Sequence, residues 1–279
     1  MAAGCGGAGP ATPGKAQRIV SLVPAVTEML FAIGAGSQVV GVSTYDHFPP
    51  EVEQLPKVGA LIDPDTERIF ALRPDLIVVY GSQSDVEARF DKAGIQTFNY
   101  RHGVTDAILG LFDTITGLGA ATGHEAQARE VVVRMTAGID DLRKRVAGLS
   151  RPRTLLIMGR QPGTLQGVYA AGGTGFLNEM LEIAGGQNVL EDVQRESVQP
   201  SSETLLRLAP EVLIELRATA PAGNYPGGDL EVWNTLASIP AVRDRRVHAL
   251  VGDYVVVAGP RIAQGAEAMA RVLHPDTFK

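Results

Sequence analysis

The residue types that most often carry out chemistry are few in this sequence and widely separated. Its single cysteine, Cys5, lies in a Gly- and Pro-rich start where we expect no folded site, and one cysteine cannot form an internal disulfide. The histidines do not combine with cysteine or aspartate at the spacing of a zinc site; they are His47, His102, His124, His248 and His274. The sequence therefore predicts neither a metal held by protein side chains nor a cysteine nucleophile.

Three glycine-containing segments resemble catalytic or nucleotide motifs but fail at decisive positions. Gly34-Ala-Gly36 closes a predicted helix, whereas a dinucleotide loop opens one, and Val39 occupies the place of the third glycine. Gly41-Val-Ser43-Thr-Tyr45 lacks the second glycine of a nucleophile elbow. Gly81-Ser82 follows a predicted strand without an evident histidine partner, and a serine there more often donates a hydrogen bond to a ligand. We therefore predict a binding protein and not an enzyme.

Composition and charge narrow the class further. The chain has 279 residues, 45% hydrophobic and 20% charged, which is enough for two compact α/β lobes or one large domain. Its net charge of −6 argues against nucleic acid as a partner, because binding to phosphates requires a basic surface. A membrane-spanning helix needs about 18 or more consecutive apolar residues, and the sequence has no such run. The sequence thus indicates a globular protein with a small-molecule or protein partner.

Apolar strands alternate with amphipathic helices over the first hundred residues. The strands are predicted at 18–23, 39–43, 75–80 and 95–99, and helices begin at Pro24 and near Asp63-Pro64. Such alternation predicts an open, mainly parallel sheet, in which ligands bind beyond the carboxyl ends of the strands. The loops that follow Val23, Ser43 and Tyr80 are therefore the expected binding loops.

A long helix separates this region from a second one of the same kind. Its apolar positions recur at alternating steps of four and three residues, at Ala128, Val132, Met135, Ile139, Leu142, Val146 and Leu149. A shorter helical pattern precedes it at 104–118. Strands then return at 154–158, 211–216 and 247–251, with helices at 175–183 and 262–273. We predict two Rossmann-like α/β lobes with mainly parallel sheets, joined by one long backbone helix: a tether at 1–16, lobes at 17–103 and 151–279, and a helical linker at 104–150.

Two segments of the second region repeat the first. Residues 66–77 (TERIFALRPDLI) correspond to 202–213 (SETLLRLAPEVL) at an offset of 136, which aligns Glu67 with Glu203. Residues 27–30 (TEML) correspond to 178–181 (NEML), and both are followed by glycines. The repeat predicts two related lobes. The alternative is that helix–Pro–strand units converge in any α/β protein.

A family resemblance emerges from these segments. Residues 18–36 and 40–50 resemble the opening of the helical-backbone, class III substrate-binding proteins of ABC importers, and most of all their vitamin B12-binding branch. Residues 66–76, 181–189 and 259–262 continue the likeness, which covers about 17–275. It implies an extracytoplasmic protein, in the periplasm or on the outer face of the membrane, that needs no cofactor of its own. Its implied cargo is cobalamin or a related corrinoid, with haem or a ferric siderophore as the alternative.

The resemblance also implies the residues that would line the cleft between the lobes. They are Pro24, Ala25, Tyr45, Leu61, Tyr80, Gly81, Ser82, Tyr169, Tyr254 and Arg261. Leu61 stands where the cobalamin branch typically has tryptophan, and a leucine offers no indole face to a corrin. A haem carrier would need an axial tyrosine or histidine, for which the candidates are Tyr45, His47, Tyr80, Tyr169 and Tyr254. Each tyrosine could equally be a half-buried packing residue.

The implied partners are an ABC permease and its ATPase subunits, with the carrier itself a monomer. In the family, one rim glutamate per lobe docks onto arginines of the permease, and these match Glu67 and Glu203. The alternative is that each is a first-turn carboxylate favoured by the helix dipole.

Residues 2–5 (AAGC) and the flexible segment after them resemble a bacterial lipoprotein processing site, although no apolar signal segment precedes them. We expect lipidation of Cys5 as the sole membrane attachment. The alternative is a tail with a chance cysteine.

Overall fold

The computed structural model describes residues 15–81, 84–101, 103, 106–218 and 229–278. The first sheet is parallel throughout, in the order β2–β1–β3–β4. Its strands are β1 (Ile19–Ser21), β2 (Val39–Val42), β3 (Leu76–Tyr80) and β4 (Gln96–Tyr100). The helices between them are α1 (Pro24–Ala32), α2 (Thr66–Ala71) and α3 (Ser84–Lys92). The four predicted strands are thus present, each shifted by at most two residues at either end.

Two consecutive helices lead out of this sheet, α4 (Ala107–Thr122) and α5 (Glu125–Val146). Gly123 adopts φ 84° at their junction, a left-handed conformation that favours glycine, and it lets the two helices fold back on one another after two residues. α4 packs against α1 and α6 (Phe176–Ile183), whereas α5 packs mainly against α4 and α9 (Ile262–Leu273). The predicted long helix is therefore α5, and it ends before Leu149, the last position of the predicted apolar face.

Among the described residues, the second sheet has six strands and is mixed. Its order is β10–β9–β5–β6–β8, and β7 also pairs with β5. The strands are β5 (Arg153–Gly159), β6 (Tyr169–Ala171), β7 (Gln187–Asn188), β8 (Ser197–Val198), β9 (Val212–Arg217) and β10 (Val247–Val251). The pairs β5–β6 and β6–β8 are antiparallel. The remaining helices are α7 (Ser202–Leu208) and α8 (Pro240–Arg243). Two mainly parallel α/β lobes joined by helices match the predicted fold class.

Gly172 and Gly173, which precede α6, lie against the backbone of residues 191–196, which lead into the antiparallel strand β8. A Cβ on Gly172 would lie 2.0 Å from the carbonyl oxygen of Arg195, and one on Gly173 would lie 2.0 Å from that of Glu191. The two amides donate to the carbonyls of Glu196 and Val193. Glycine is required here because two backbone segments touch.

A continuous apolar core runs through both lobes. Ile19 of the first sheet, Leu111 of α4, Met135 of α5 and Met269 of α9 belong to one buried cluster. Separate clusters cover the outer faces of the two sheets, around Phe90 in the first lobe and around Trp233 and Leu213 in the second. Because the helical side of both sheets shares one core, we expect the lobes to move little relative to each other.

The two repeated units adopt the same local structure. Asp65 precedes α2 and accepts a hydrogen bond from the Arg68 amide, while Ser201, 136 positions later, precedes α7 and accepts one from the Thr204 amide. α2 therefore begins at Thr66, and the predicted start at Asp63-Pro64 is wrong because Asp65 provides the cap. Each helix leads into a central strand of its sheet, β3 or β9.

Within the part of the chain that the structure describes, none of the helices combines the length and apolar character that a membrane crossing needs. The predicted domain boundaries at 16, 103 and 150 remain predictions.

Candidate functional site

Two tyrosines lie side by side at the carboxyl edge of the first sheet. Tyr80 ends β3, Tyr100 ends β4, and the two are register partners whose ring centroids lie 6.0 Å apart at an interplanar angle of 65°. Burial, with a smaller contribution from the carboxylate of Glu196, raises the pKa of the Tyr80 phenol. Burial also raises the pKa of Tyr100, further increased by Tyr80 and Glu196. Glu196 belongs to the second lobe, whereas both tyrosines belong to the first.

Gly81 follows Tyr80 and turns the chain at the same edge. Its amide donates to the carbonyl of Tyr100 at 2.9 Å. A Cβ there would lie 2.4 Å from Cγ of Arg101 and 2.7 Å from Oδ1 of Asn99, so any larger residue would displace those side chains. The next residue, Ser82, which was also predicted to line the cleft, lies outside the described residues.

A buried aspartate shapes the loop after β2. Asp46 accepts hydrogen bonds from the amide and the hydroxyl of Ser43 at 2.9 and 2.6 Å. Burial raises the pKa of Asp46, although the hydrogen bonds from Ser43 oppose this. The turn leaves Tyr45 66% exposed, whereas Leu61, also predicted to line the cleft, is half-buried against the core. Tyr45 is thus available for contact with a ligand.

Helix α1 contacts the second lobe through Arg261, a predicted ligand residue. Pro24 is half-buried and Ala25 is buried at this helix start. Arg261 donates from Nε and Nη2 to the two carboxylate oxygens of Glu28, at 2.9 and 2.6 Å. Its guanidinium also lies 3.7 Å from the ring centroid of Phe48. The Arg261 side chain is therefore engaged by the first lobe, and a direct contact with ligand remains a prediction.

Two further tyrosines come from the second lobe. Tyr169 begins the short strand β6, opposite Gly159 of β5, and is 42% exposed. Tyr254 lies in the 3₁₀ helix Asp253–Val255, which follows β10, and packs half-buried against the core. Tyr169 is therefore the more accessible of the two tyrosines, whereas Tyr254 also contributes to the packing of the core.

Sequence reasoning missed a buried polar cluster at the carboxyl ends of β5 and β9. Glu215 accepts from Nε of Arg160 at 2.7 Å, from Nε1 of Trp233 at 2.6 Å and from two nitrogens of Arg217 at 3.2 and 2.5 Å. The side chains of the three charged residues are at most 9% exposed. Burial alone would raise the pKa of Glu215, but the hydrogen bonds from Arg160, Arg217 and Trp233 outweigh it and lower that pKa. A glutamate within an apolar strand, two residues before an arginine, was the available signal.

The predicted docking residues lie on the outside of the lobes. Glu67 and Glu203 are exposed, and both stand in the first turn of their helices. Among the described residues, no group of three His, Cys, Asp or Glu side chains is arranged to hold a metal ion. Cys5 lies outside the described residues.

The comparisons with known proteins agree with this two-lobed arrangement. The model of the family described as periplasmic binding protein matches residues 19–254. The chain belongs to the periplasmic binding protein family. As a member it is an ABC transporter substrate-binding protein, in a family of extracytoplasmic binding proteins and not of enzymes.

Individual relatives of this periplasmic binding protein have different cargoes. It is 29% identical over 269 residues to an uncharacterized ABC transporter substrate-binding lipoprotein, YvrC, of Bacillus subtilis (strain 168), covering 94% of this chain and 82% of the relative. It is 27% identical over 258 residues to a vitamin B12-binding protein of Yersinia pestis (strain Pestoides F), covering 92% and 86%. The solved structure of the periplasmic heme-binding protein RhuT from Roseiflexus sp. RS-1, in apo form, is similar with a TM-score of 0.80 and 25% identity, covering 95% of this chain and all of that one.

Proposed function

We propose that this protein captures cobalamin, or a related corrinoid, between its two lobes and delivers it to an ABC permease. The observation that carries the proposal is the likeness to a vitamin B12-binding protein over 92% of the chain. The loops at the carboxyl ends of the strands would form the cleft. Tyrosines from both lobes lie in or beside those loops. Tyr45 and Tyr80 would form one wall, and Tyr169 and Tyr254 the other.

The chemistry of the tyrosines suits a large, flat and amphipathic ligand. Such a ligand needs two facing walls that are mostly apolar, with a few polar groups at the rim. A tyrosine offers an aromatic face and a polar tip in the same side chain. Tyr80 is half-buried, and its raised pKa favours the neutral phenol, which can donate a hydrogen bond to an amide or carboxylate substituent of a ligand.

A haem carrier is the second candidate, favoured by the fold likeness to RhuT. Axial ligation of ferric haem by tyrosine uses the phenolate. Burial raises the pKa of Tyr80 and so opposes its ionisation. The exposed Tyr45 is better suited to that role. The same scaffold would also suit a ferric siderophore.

The proposed partner is a permease that reads both lobes at once. Glu67 and Glu203 occupy equivalent exposed positions in the two repeated units, so each lobe would present one carboxylate. We also propose lipidation of Cys5 as a membrane attachment, consistent with the lipoprotein relative. Neither permease docking by these glutamates nor lipidation of Cys5 requires a change in the ligand-binding cleft.

A direct titration tests the cargo. Purified protein should bind one cyanocobalamin per chain, without turning it over, in calorimetry and in difference absorption spectra. Parallel titrations with hemin and with a ferric tris-catecholate provide the comparison. Saturation by hemin, with no heat from cyanocobalamin, would transfer the assignment to the haem carrier.

A further inference from the structure

Two glutamates at equivalent positions of the internal repeat make contacts that join separate parts of the fold. Glu28 joins the two lobes directly, and Glu179 joins the second lobe to α4, the helix that leads out of the first sheet. Glu28 belongs to the segment 27–30 of α1, and Glu179 belongs to the matching segment 178–181 of α6. The ion pair between Glu28 and Arg261 spans 233 positions of sequence, and the contact of Glu179 with α4 spans about 70. Each contact reaches the first residues of a helix that is distant in sequence: Glu28 contacts the start of α9, and Glu179 contacts the start of α4.

The Glu28 contact reaches the start of α9. Arg261 is the N-cap residue of that helix, and its guanidinium forms a two-pronged pair with the carboxylate of Glu28, which is only 5% exposed. Paired hydrogen bonds of this kind fix both distance and orientation. Phe48, also of the first lobe, covers the guanidinium from its face. One arginine of the second lobe is thus held by two residues of the first.

The Glu179 contact reaches the start of α4. The carboxylate accepts hydrogen bonds from the amides of Ala107 and Ile108, at 2.6 and 3.0 Å. The first amides of a helix normally receive their cap from the residue just before it. Here Asp106 occupies that position with φ 54°, and the cap is supplied by Glu179 of the second lobe, 72 positions after Ala107. A carboxylate at a helix N-terminus is also favoured by the helix dipole.

The two contacts are related by the symmetry of the fold. Helix α4 follows β4, the last strand of the first sheet, and α9 follows β10, the last strand of the second. Glu28 of the first lobe contacts the start of α9, and Glu179 of the second lobe contacts the start of α4. Each lobe therefore holds the helix that follows the other lobe's last strand.

We propose that Glu28 and Glu179 are positioning residues that fix the separation and orientation of the two walls of the ligand cleft. The proposal rests on the proposed function, since it assumes that a ligand binds between the lobes. Neither glutamate needs to touch the ligand. A cleft held in one geometry binds more tightly because ligand binding does not have to restrict the lobes at the same time.

A distance measurement without ligand tests the proposal directly. In a Cys5→Ser background, nitroxides on cysteines introduced at the exposed helix positions Asp91 and Arg207 would report the lobe separation by pulsed electron resonance. Glu28→Gln and Glu179→Gln should each broaden the distance distribution, and the double substitution should broaden it most. Glu182→Gln is the matched control, because this exposed α6 glutamate bonds to Asn178 of its own helix.

Arg261→Lys guards against a folding failure of the Glu28 variant, since it retains the positive charge while removing the paired geometry. It should broaden the distribution to a similar extent. A double variant, Glu28→Gln with Glu179→Gln, that keeps the wild-type distribution would overturn the proposal.

Affinity supplies the second readout. With cyanocobalamin as the probe, each glutamine variant should raise Kd by about tenfold or more, which corresponds to about 1.4 kcal/mol, and the Glu182 control should not change it. Broadened distances with an unchanged Kd would overturn the positioning role. If the wild type does not bind cyanocobalamin at all, the proposed cargo fails, and the distance measurement still decides whether the glutamates fix the lobes.

Discussion

The same helix–Pro–strand unit occurs in both lobes, but the two lobes end its strand differently. In the first lobe, Val79 and Gly81 flank Tyr80 at the end of β3. At the positions 136 residues later, β9 carries Glu215 and Arg217. Val79 packs in the apolar cluster of the outer face, whereas Glu215 pairs there with two arginines and Trp233. Both lobes contain a capped helix (α2 or α7) that leads into a buried strand (β3 or β9). The two lobes differ at the carboxyl ends of these strands.

The difference has a physical consequence for each wall of the cleft. An apolar strand end needs no polar partners, which leaves a tyrosine and a glycine backbone at the edge of the first sheet. A buried glutamate must be fully paired, because an unpaired buried charge is strongly destabilising. The second lobe therefore commits Arg160, Arg217 and Trp233 to the interior.

The largest effect is expected where the lobes remain alike. Replacing both Glu67 and Glu203 by alanine should abolish cobalamin uptake in reconstituted vesicles and leave ligand titrations superimposable on wild type. Two simultaneous contacts gain from effective concentration, so losing both should be far worse than losing one. The loss of docking should be greater at low salt, where charges are less screened.

The matched control is Asp85→Ala, which removes an exposed first-turn carboxylate from α3. It should leave uptake intact. Wild-type uptake by the double glutamate variant would reduce both residues to ordinary helix-stabilising carboxylates.

The next effect tests where the lobes differ. Glu215→Ala would leave two buried arginines without their carboxylate and should lower the free energy of unfolding by about 3–5 kcal/mol. The equivalent change in the first lobe, Val79→Ala, removes only apolar contacts and should cost about 2 kcal/mol. Chemical denaturation of both variants measures the difference. Equal losses would mean that the polar cluster contributes no more than ordinary packing.

A smaller effect concerns the dependence of stability on pH. Two buried glutamates with arginine partners, Glu28 and Glu215, have pKa values that are shifted in opposite directions. Burial raises the pKa of Glu28 above its ordinary value of 4.5, and its pairing with Arg261 only partly offsets this. The folded state then holds a proton that the unfolded state has lost, so this contribution to stability falls as pH rises from 4.5 through the raised pKa. Glu215 behaves oppositely, and its contribution is present above 4.5 and lost as pH falls through its lowered pKa.

Denaturation of wild type, Glu28→Gln and Glu215→Gln across acidic to neutral pH measures both signs. The Glu215 variant should lose less stability on acidification than wild type. The Glu28 variant should lose less stability than wild type as the pH rises above 4.5. The same pH profile for all three proteins would contradict the opposed shifts.

The main elements of the fold could be predicted because their patterns are long. The apolar pattern of α5, which repeats over six steps, and the apolar runs of β3 and β10 each identify one element, and α9 lies where it was predicted. By contrast, β6 and β8 have three and two residues, too few to show an alternating pattern, so the antiparallel edge of the second sheet was missed.

The candidate site was harder to predict, because its partners come together only in three dimensions. The repeat aligned Glu28 with Glu179, but nothing local indicated that one would pair with Arg261 and the other would cap α4. Arg261 was expected to line the ligand cleft, and its engagement with Glu28 and Phe48 depends on contacts more than 200 positions apart. The Glu215 cluster likewise joins residues of β9 with Arg160, which follows β5, and with Trp233 farther along the chain.

The central claim is that one ligand lies between the two lobes, and a paired titration tests it most directly. Tyr80→Ala removes an aromatic side chain from the first wall, and Tyr254→Ala removes one from the second. Calorimetry with cyanocobalamin should give one ligand per chain for wild type and a weaker Kd for both variants, with thermal unfolding as the control for folding. A variant that keeps wild-type affinity while losing much of its thermal stability would show that its tyrosine is a packing residue, and wild-type affinity in both would contradict a ligand held between these walls.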